Sequence, residues 1–272
     1  MSIVPDILTL SILLMFVGIG WILKSSWFKG HLGEWSVASA LDKSLKDRPH
    51  EIFHDVILPS GRGTTQIDHL VICESGIFVI ETKNMSGWIF GNADEATWTQ
   101  TFRRKRRRFQ NPLRQNFKHL KAVEKALNVP LSELSGIVTF VGDAIPKTHL
   151  PNSVLWSTRE LREFIQSRTL WRYDEEEISQ MAQRFNAAIA ATAHVSARDH
   201  VKALKQDRAL RNNNENCPRC GKTLVQRINK RTQQTFSGCP SYPACRGTRQ
   251  SNKKPHGINR GAKVARLENS VR

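Results

Sequence analysis

Thr65-Gln66-Ile67-Asp68-His69-Leu70-Val71-Ile72-Cys73-Glu74-Ser75-Gly76-Ile77-Phe78-Val79-Ile80-Glu81-Thr82-Lys83 decides the fold of this chain. Two apolar, β-branched runs meet at Ser75-Gly76 and carry charge at their far ends, the pattern of a β-hairpin. A two-residue loop at Ser75-Gly76 sets Glu74 opposite Ile77, Leu70 opposite Glu81 and Asp68 opposite Lys83. Side chains alternate faces along a strand, so Asp68, Glu81 and Lys83 are expected on one face. A slip of one residue would turn Asp68 away, so the juxtaposition depends on register. Two carboxylates and an ammonium beside Val79 and Ile80 suit a chemical site. The plainer alternative is that strand ends carry charge because they reach solvent.

Working outward, Gly33 opens a segment, Glu34 to Leu45, whose apolar residues Trp35, Val37, Ala38, Ala40, Leu41 and Leu45 suit a short helix packed on a sheet and ended before Pro49. Glu34 in its first turn complements the helix dipole, which explains it without chemistry. Ile52 to Leu58 reads as the first strand, closed by Pro59 and the Ser60-Gly61-Arg62-Gly63 loop. Short strands are expected at Gly87 to Gly91 and near Trp98 to Thr101. The run Arg103-Arg104-Lys105-Arg106-Arg107-Arg108 follows, either a solvated loop or strand face that raises solubility, or a track for a polyanion's backbone. Asn111-Pro112 caps a helix from Leu113 to about Asn128. Gln115 and His119 share one face of it, as a surface pair would also do. Gly136 to Val141 reads as a buried central strand and Val154 to Trp156 as a short one. Ser157 or Thr158 caps a helix through Arg168, and Asp174 to His194 forms a further helix.

An Asp followed one strand later by Glu-x-Lys is the pattern of metal-dependent phosphodiesterases of the restriction-endonuclease-like class, the PD-(D/E)xK type. Gly33-Glu34, Gln66-Ile67-Asp68-His69, Gly76-Ile77-Phe78-Val79-Ile80-Glu81-Thr82-Lys83, Gly87 and Asn111-Pro112-x-x-Gln115-x-x-x-His119 together resemble the nuclease-related domain (NERD) family. The resemblance covers Gly33 to Leu127. It implies an α/β fold, a restriction-endonuclease-like mixed sheet flanked by helices, and a catalytic set of Glu34, Asp68, Glu81 and Lys83. Asp68 and Glu81, with the Thr82 carbonyl, would hold Mg²⁺ (or Mn²⁺). Glu34 would complete the outer shell or contact a second ion, Lys83 would orient water or neutralise the phosphorane, and Gln66 and Gln115 would position substrate.

The charge balance names the partner. Forty-one Lys and Arg against 24 Asp and Glu give a formal net charge of +17, which calls for nucleic acid or an acidic membrane surface. Ile7 to Leu23 is apolar and free of charge, and reaches about 25 Å as a helix, somewhat short of the hydrocarbon core of about 30 Å. Ile3 and Val4 before it and the interfacial rings of Trp21 and Trp27 make up much of the difference. A secretory signal fits less well, because no basic residue precedes the run and no small-x-small cleavage site follows. A buried core helix is the other alternative. Lys24 and Lys29 follow the run, so the expectation is a single-pass anchor over residues 3–24 in the inner or cytoplasmic membrane, N-terminus out and the remainder in the cytoplasm.

The cysteines are uneven: Cys73 lies in the hairpin, while Cys217, Cys220, Cys239 and Cys245 cluster late. Cys217-Pro218-Arg219-Cys220-Gly221 and Cys239-Pro240-Ser241-Tyr242-Pro243-Ala244-Cys245 supply two knuckles of thiolates, as a tetrahedral structural Zn²⁺ site needs. The closing pattern, Phe236-Ser237-Gly238-Cys239-Pro240-x-Tyr242-Pro243-x-Cys245, resembles the zinc ribbon of type IA DNA topoisomerases. That resemblance implies single-stranded DNA binding, with Phe236 and Tyr242 stacking on bases; Phe236 serves equally as the ribbon's small core. The domains expected are an anchor at 3–24, the nuclease-related α/β domain at 31–195, a linker at 196–214 with a helical first part, a ribbon at 215–250 and a disordered basic tail at 251–272. The function expected is a membrane-anchored, Mg²⁺-dependent nuclease acting on DNA, with RNA left open. The alternative is a non-catalytic protein that tethers DNA at the membrane.

Overall fold

The computed structural model describes residues 26–61, 63–229 and 231–250. Helix α1 (Ser26–Leu45) leads into a meander of β1 (His50–Ser60), β2 (Gly63–Cys73) and β3 (Gly76–Asn84). Strands β4 (Gly87–Phe90), β5 (Thr97–Phe102) and β6 (Lys105–Gln110) follow, then α2 (Pro112–Leu127). Strand β7 (Leu134–Val141) runs parallel to β3, β8 (Ala144–Pro146) parallel to β4 and β9 (Val154–Leu155) parallel to β7. Helices α3 (Thr158–Gln166), α4 (Glu175–Ala190) and α5 (Ala197–Asn212) come next. The chain divides into two compact units between His200 and Val201, a division that α5 crosses. The stretch read as a linker is therefore helical for most of its length.

The first unit is a mixed five-stranded sheet, β1-β2-β3-β7-β9, with a helical layer on each face. Leu70, Ile72, Ile77 and Val79 meet Val123 and Leu127 of α2 and Met181 and Phe185 of α4 on one side. Val71, Phe78, Ile80 and Ile137 meet Val37 and Leu41 of α1 and Leu161 and Ile165 of α3 on the other. Both faces being covered is why Gly76 to Thr82 is buried throughout and why its first part, Gly76 to Ile80, reads as an unbroken apolar run. Ser157 caps α3, and Asp174 forms a capping box with Glu177 on α4, close to the expected starts.

The hairpin register differs from the expected one. Cys73 pairs with Gly76, so the loop is Glu74-Ser75 and Gly76 belongs to β3. Glu74 is withdrawn from the ladder: its carbonyl accepts the Arg172 and Tyr173 amides and its buried carboxylate pairs with Arg48. The last ladder pair is His69 with Ile80, which sets Asp68 level with Glu81 rather than with Lys83. The displacement is an even number of residues, so the faces assigned to Glu81 and Lys83 survive it.

Alternation itself breaks at Asp68. Ile67, Leu70 and Ile72 all pack into the α2 and α4 core, although strict period 2 would separate Ile67 from the other two. A matching break lies across the ladder in β1, where Phe53 and Val56 face the same core and Asp55 between them has φ of +51°. Asp55 stands level with Asp68, between the His54–His69 and Val56–Ile67 pairs. The break lets the Asp68 carboxylate swing into the sheet plane, where it accepts the Thr82 amide at 2.8 Å.

The second sheet, β6-β5-β4-β8, continues the parallel pair at the centre of the first. The Met85 amide bonds the Val141 carbonyl at 3.1 Å and the Gly87 amide the Asp143 carbonyl at 3.0 Å, carrying the pairing from β3–β7 into β4–β8. Its buried face rests on Ile89, Trp98, Phe140 and Val154, with Trp98 stacked on Phe140 and Phe140 on Trp156. The basic run turns at Arg103-Arg104 and then forms edge strand β6, whose Arg and Lys side chains are exposed. In the second unit β10 (Val225–Ile228), β11 (Thr235–Gly238) and β12 (Thr248–Gln250) form a small antiparallel sheet. Among the described residues no helix is long and apolar enough to cross a membrane. The anchor expected at 3–24 and the tail expected at 251–272 lie outside the described residues.

Candidate functional site

The acidic and basic ends of the hairpin converge where the parallel pair β3–β7 ends. Glu81, fully buried, points to the α2 face, and its Oε2 accepts from His119 Nε2 at 2.9 Å while its Oε1 accepts from the Lys83 ammonium. Lys83 Nζ also donates to Gln115 Oε1 at 3.2 Å. His119 Nδ1 lies 2.8 Å from Thr65 Oγ1, so Thr65, His119, Glu81, Lys83 and Gln115 form one hydrogen-bonded chain. Asp68 joins from β2 through the Thr82 amide. In an extended strand a residue's N–H and C=O leave on the same edge, so the Thr82 carbonyl faces Asp68 as well.

Helix α1 supplies Glu34, half-buried and 3.4 Å from His31 Nδ1. A close approach sets its position: a Cβ on Gly33 would fall 2.8 Å from the Asn84 Cβ and 3.0 Å from the Val141 Cγ2. The helix thus presses on the very ends of β3 and β7. Helix α2 is fixed by two asparagines. Asn111 caps it through Leu113 N while its amide donates to the carbonyls of Asn92, Ala93 and Glu95, and Asn116 donates to the Val79 and Ile137 carbonyls at 3.0 and 2.9 Å.

The electrostatics are those of crowded carboxylates around one cation. Burial, then the Glu81 charge, pushes the Asp68 carboxyl well above the usual carboxylate range. Burial raises Glu34 too, with Asp55 and Glu81 adding to it against His31. Burial alone would raise Glu81, but Lys83 and His119 outweigh it and hold Glu81 below its ordinary value. The Lys83 ammonium, which burial would lower, is raised by Glu81 and Asp68. Behind the site, on the α1 face of β2, His69 is buried with Nδ1 2.7 Å from His54 Nδ1, and burial pushes its pKa down to about 3.

Glu34, Asp68, Glu81, Lys83 and Gln115 are thus brought together. Gln66 is turned to β1 instead, where it donates to Asp55. His119, left open by the sequence, lies inside the site, and Asp55 and Thr65 were missed. Asp55 sits in the middle of the Ile52 to Leu58 strand with no partner in the sequence to mark it. Only the ladder places it beside Asp68.

In the second unit Cys217, Cys220, Cys239 and Cys245 bring their sulfurs within 4.8 Å of one another, and no other such group of His, Cys, Asp and Glu occurs among the described residues. The Cys217–Cys245 and Cys220–Cys239 separations of 3.7 and 3.4 Å approach the value of about 3.8 Å that a tetrahedron of Zn–S bonds near 2.3 Å requires. The four thiols fit one structural Zn²⁺. Gly247 packs so closely that a Cβ there would lie 2.2 Å from the Cys217 sulfur, a role no spacing rule revealed. Arg227 lies over the Tyr242 ring, 5.9 Å from its centroid, and Phe236 is half-buried beside them.

Comparison with known proteins gives a family match in each unit. Residues 29–141 match the family model of the nuclease-related domain, and residues 214–254 match that of the topoisomerase DNA binding C4 zinc finger. An uncharacterized protein of Bacillus anthracis is 49% identical over 98 residues, covering 36% of this chain and 46% of that protein. The chain spans about half the length of this relative. The first unit therefore carries a nuclease-related domain of the NERD family, and the second a C4 zinc finger of the topoisomerase kind.

Proposed function

We propose that the protein is a divalent-metal-dependent nuclease that hydrolyses DNA phosphodiester bonds, with a zinc ribbon that holds single-stranded DNA. The observation that carries this reading is the meeting of Glu34, Asp68, Glu81, Lys83 and Gln115 at the end of β3. Hard carboxylate oxygens on buried and half-buried side chains fit Mg²⁺ or Mn²⁺: Asp68 and Glu81 would hold it, with the Thr82 carbonyl on the same edge and Glu34 beyond. Asp68 keeps one oxygen clear of its bond to Thr82, and its crowding with Glu81 is the kind that a cation relieves. Such an ion, when bound, supplies charge against the scissile phosphate and lowers the pKa of water.

The chain's own residues do the rest. Lys83, aimed by Glu81 and Gln115, offers an ammonium to the charge that grows on the phosphate as it is attacked. His119, tied to Thr65, keeps the Glu81 carboxylate in one orientation. Gln115 would position substrate, and Arg103, Arg104, Lys105, Arg106, Arg107 and Arg108 would run along its backbone. Phe236 and Tyr242 would stack on bases at the ribbon. The apolar stretch Ile7 to Leu23 would hold the protein in the cytoplasmic membrane, with both units on the cytoplasmic side.

One observation favours the non-catalytic tether: both Glu81 oxygens are already engaged, by Lys83 and His119. Cleavage of labelled single- and double-stranded DNA with and without Mg²⁺ decides between them. The nuclease cleaves only with metal, and Asp68→Ala and Glu81→Ala abolish cleavage while keeping DNA binding. Intact DNA under every condition, with Asp68→Ala binding like the unmodified protein, would establish the tether.

A further inference from the structure

We infer that the outer face of the second sheet is a binding platform for single-stranded nucleic acid, built on Trp88 and separate from the zinc ribbon. The register places Arg106 of β6, Thr101 of β5, Trp88 of β4 and Ile145 of β8 in one row across four strands. Cross-strand neighbours share a face, and on this sheet it is the face turned away from Ile89 and Trp98. Trp88 and Ile145 are each 49% exposed, an aromatic and an aliphatic side chain side by side in water where nothing in the first unit's core needs them. Large apolar side chains grouped on a sheet face mark a contact surface rather than chance exposure.

The charges choose the partner. Lys147 holds its ammonium 4.8 Å from the Trp88 ring centroid and steadies an indole that stays about half exposed. Arg106 and Arg108 project from the same face of β6, Arg108 donating to Thr97 Oγ1, and both are exposed. Strands about 4.8 Å apart put Arg106 about 10 Å from Trp88, within the span of neighbouring nucleotides. An apolar protein partner would leave these cations unmatched. A duplex would meet them but would keep its bases stacked away from Trp88. An aromatic shelf bordered by cations fits a strand whose bases are free.

Position links the platform to the candidate active site. Strand β4 follows β3 and its Lys83 directly, and β6 leads through Asn111 into α2 with Gln115. A strand lying over Trp88 is therefore carried by the two elements that bear the site. The inference rests on the nucleic-acid reading above for its choice of partner, and not on turnover.

Binding is measured by fluorescence anisotropy on the full chain in Ca²⁺ without Mg²⁺, with a labelled oligo-dT, the corresponding oligo-U and a duplex. Trp88→Ala weakens single-strand binding about 5- to 100-fold and duplex binding less than about twofold, and Trp88→Phe restores most of the loss. Equal strength of oligo-dT and oligo-U would mark the platform as reading neither the 2′-hydroxyl nor the thymine methyl, and a large preference would show that it reads one of them. Photocross-linking of a 5-iodouracil strand to the unmodified protein gives adducts on the peptide that contains Trp88. Cross-links confined to the ribbon, or Trp88→Ala binding single strands like the unmodified protein, would overturn the inference even if the protein cleaves DNA. A chain that binds through Trp88 but never cleaves would sink the nuclease reading and leave the platform standing.

Discussion

At the residue scale, two carboxylates that look alike in the sequence are shifted in opposite directions. The Asp68 carboxyl is raised by burial and by Glu81, so the folded protein holds its proton more tightly than the unfolded chain does. Its stabilising contribution is present below the unfolded value and is lost as pH rises through the folded one. In zinc-replete, Mg²⁺-free buffer Asp68→Asn is therefore expected to melt above the unmodified protein at pH 7, with the gap closing towards pH 4. Glu81 is lowered by Lys83 and His119, so its contribution is present at neutral pH and is lost on acidification. Glu81→Gln leaves Lys83 short of its counter-charge, and is expected to cost about 2–3 kcal/mol at pH 7, somewhat less than the about 3–5 kcal/mol of a fully buried pair. Urea unfolding measures both; the same sign for the two variants would contradict this electrostatic account. His69 adds an acid limit. Its value of about 3, set first by burial and then by His54, makes the fold lose stability as pH falls below about 6.5, where the unfolded imidazole takes a proton.

At the element scale, the site depends on how two helices meet the sheet. Gly33 lies inside α1, where alanine would ordinarily stabilise the helix by about 1 kcal/mol. The Cβ would nevertheless press on Asn84 and Val141, so Gly33→Ala should tilt α1 away and carry Glu34 with it. The expected outcome is a drop of at least about tenfold in Mg²⁺-dependent cleavage, in line with the cost of small misplacements, while circular dichroism stays unchanged. Full activity in Gly33→Ala would mean that Glu34 plays no part. Asn111 fixes the other helix. Loss of its cap and of its bonds to three loop carbonyls is expected to cost Asn111→Ala about 2–4 kcal/mol in denaturant unfolding.

At the scale of the whole molecule, the candidate catalytic residues and the four thiols that fit zinc belong to different units. A closed set of four thiolates leaves no open position for water, so the ribbon can add affinity but not turnover. Cys217→Ser with Cys220→Ser should release zinc and unfold the ribbon, because so small a sheet has little core without metal. Cleavage at saturating DNA should remain within about threefold of the unmodified protein, and the first unit should melt at its usual temperature. Abolished cleavage with an intact first unit would contradict this separation. The net charge of +17 gives a second measure. The logarithm of duplex affinity should fall linearly with the logarithm of salt, by about 0.9 for each phosphate neutralised, and Arg106→Ala with Arg108→Ala should shallow that slope by about 2.

The sequence by itself determined the two family resemblances and the four clustered cysteines, and it named Glu34, Asp68, Glu81, Lys83 and Gln115, which the fold brings together. Ligand chemistry and short spacings are local, and so are the caps at Asn111, Ser157 and Asp174 and the buried run of β3. Tertiary structure alone decided the rest. The turn moved to Glu74-Ser75 because Arg48 and the Arg172-Tyr173 backbone, both remote in sequence, take up Glu74. The break in alternation at Asp55 and Asp68 needs two strands to make it, and it aims Asp68 at Thr82. The basic run reads as loop or strand until β5 pairs with it and sets Arg106 in a row with Trp88. A residue's type carries its chemistry, whereas its neighbours across a sheet are fixed by hydrogen bonds and packing between segments that the sequence keeps far apart.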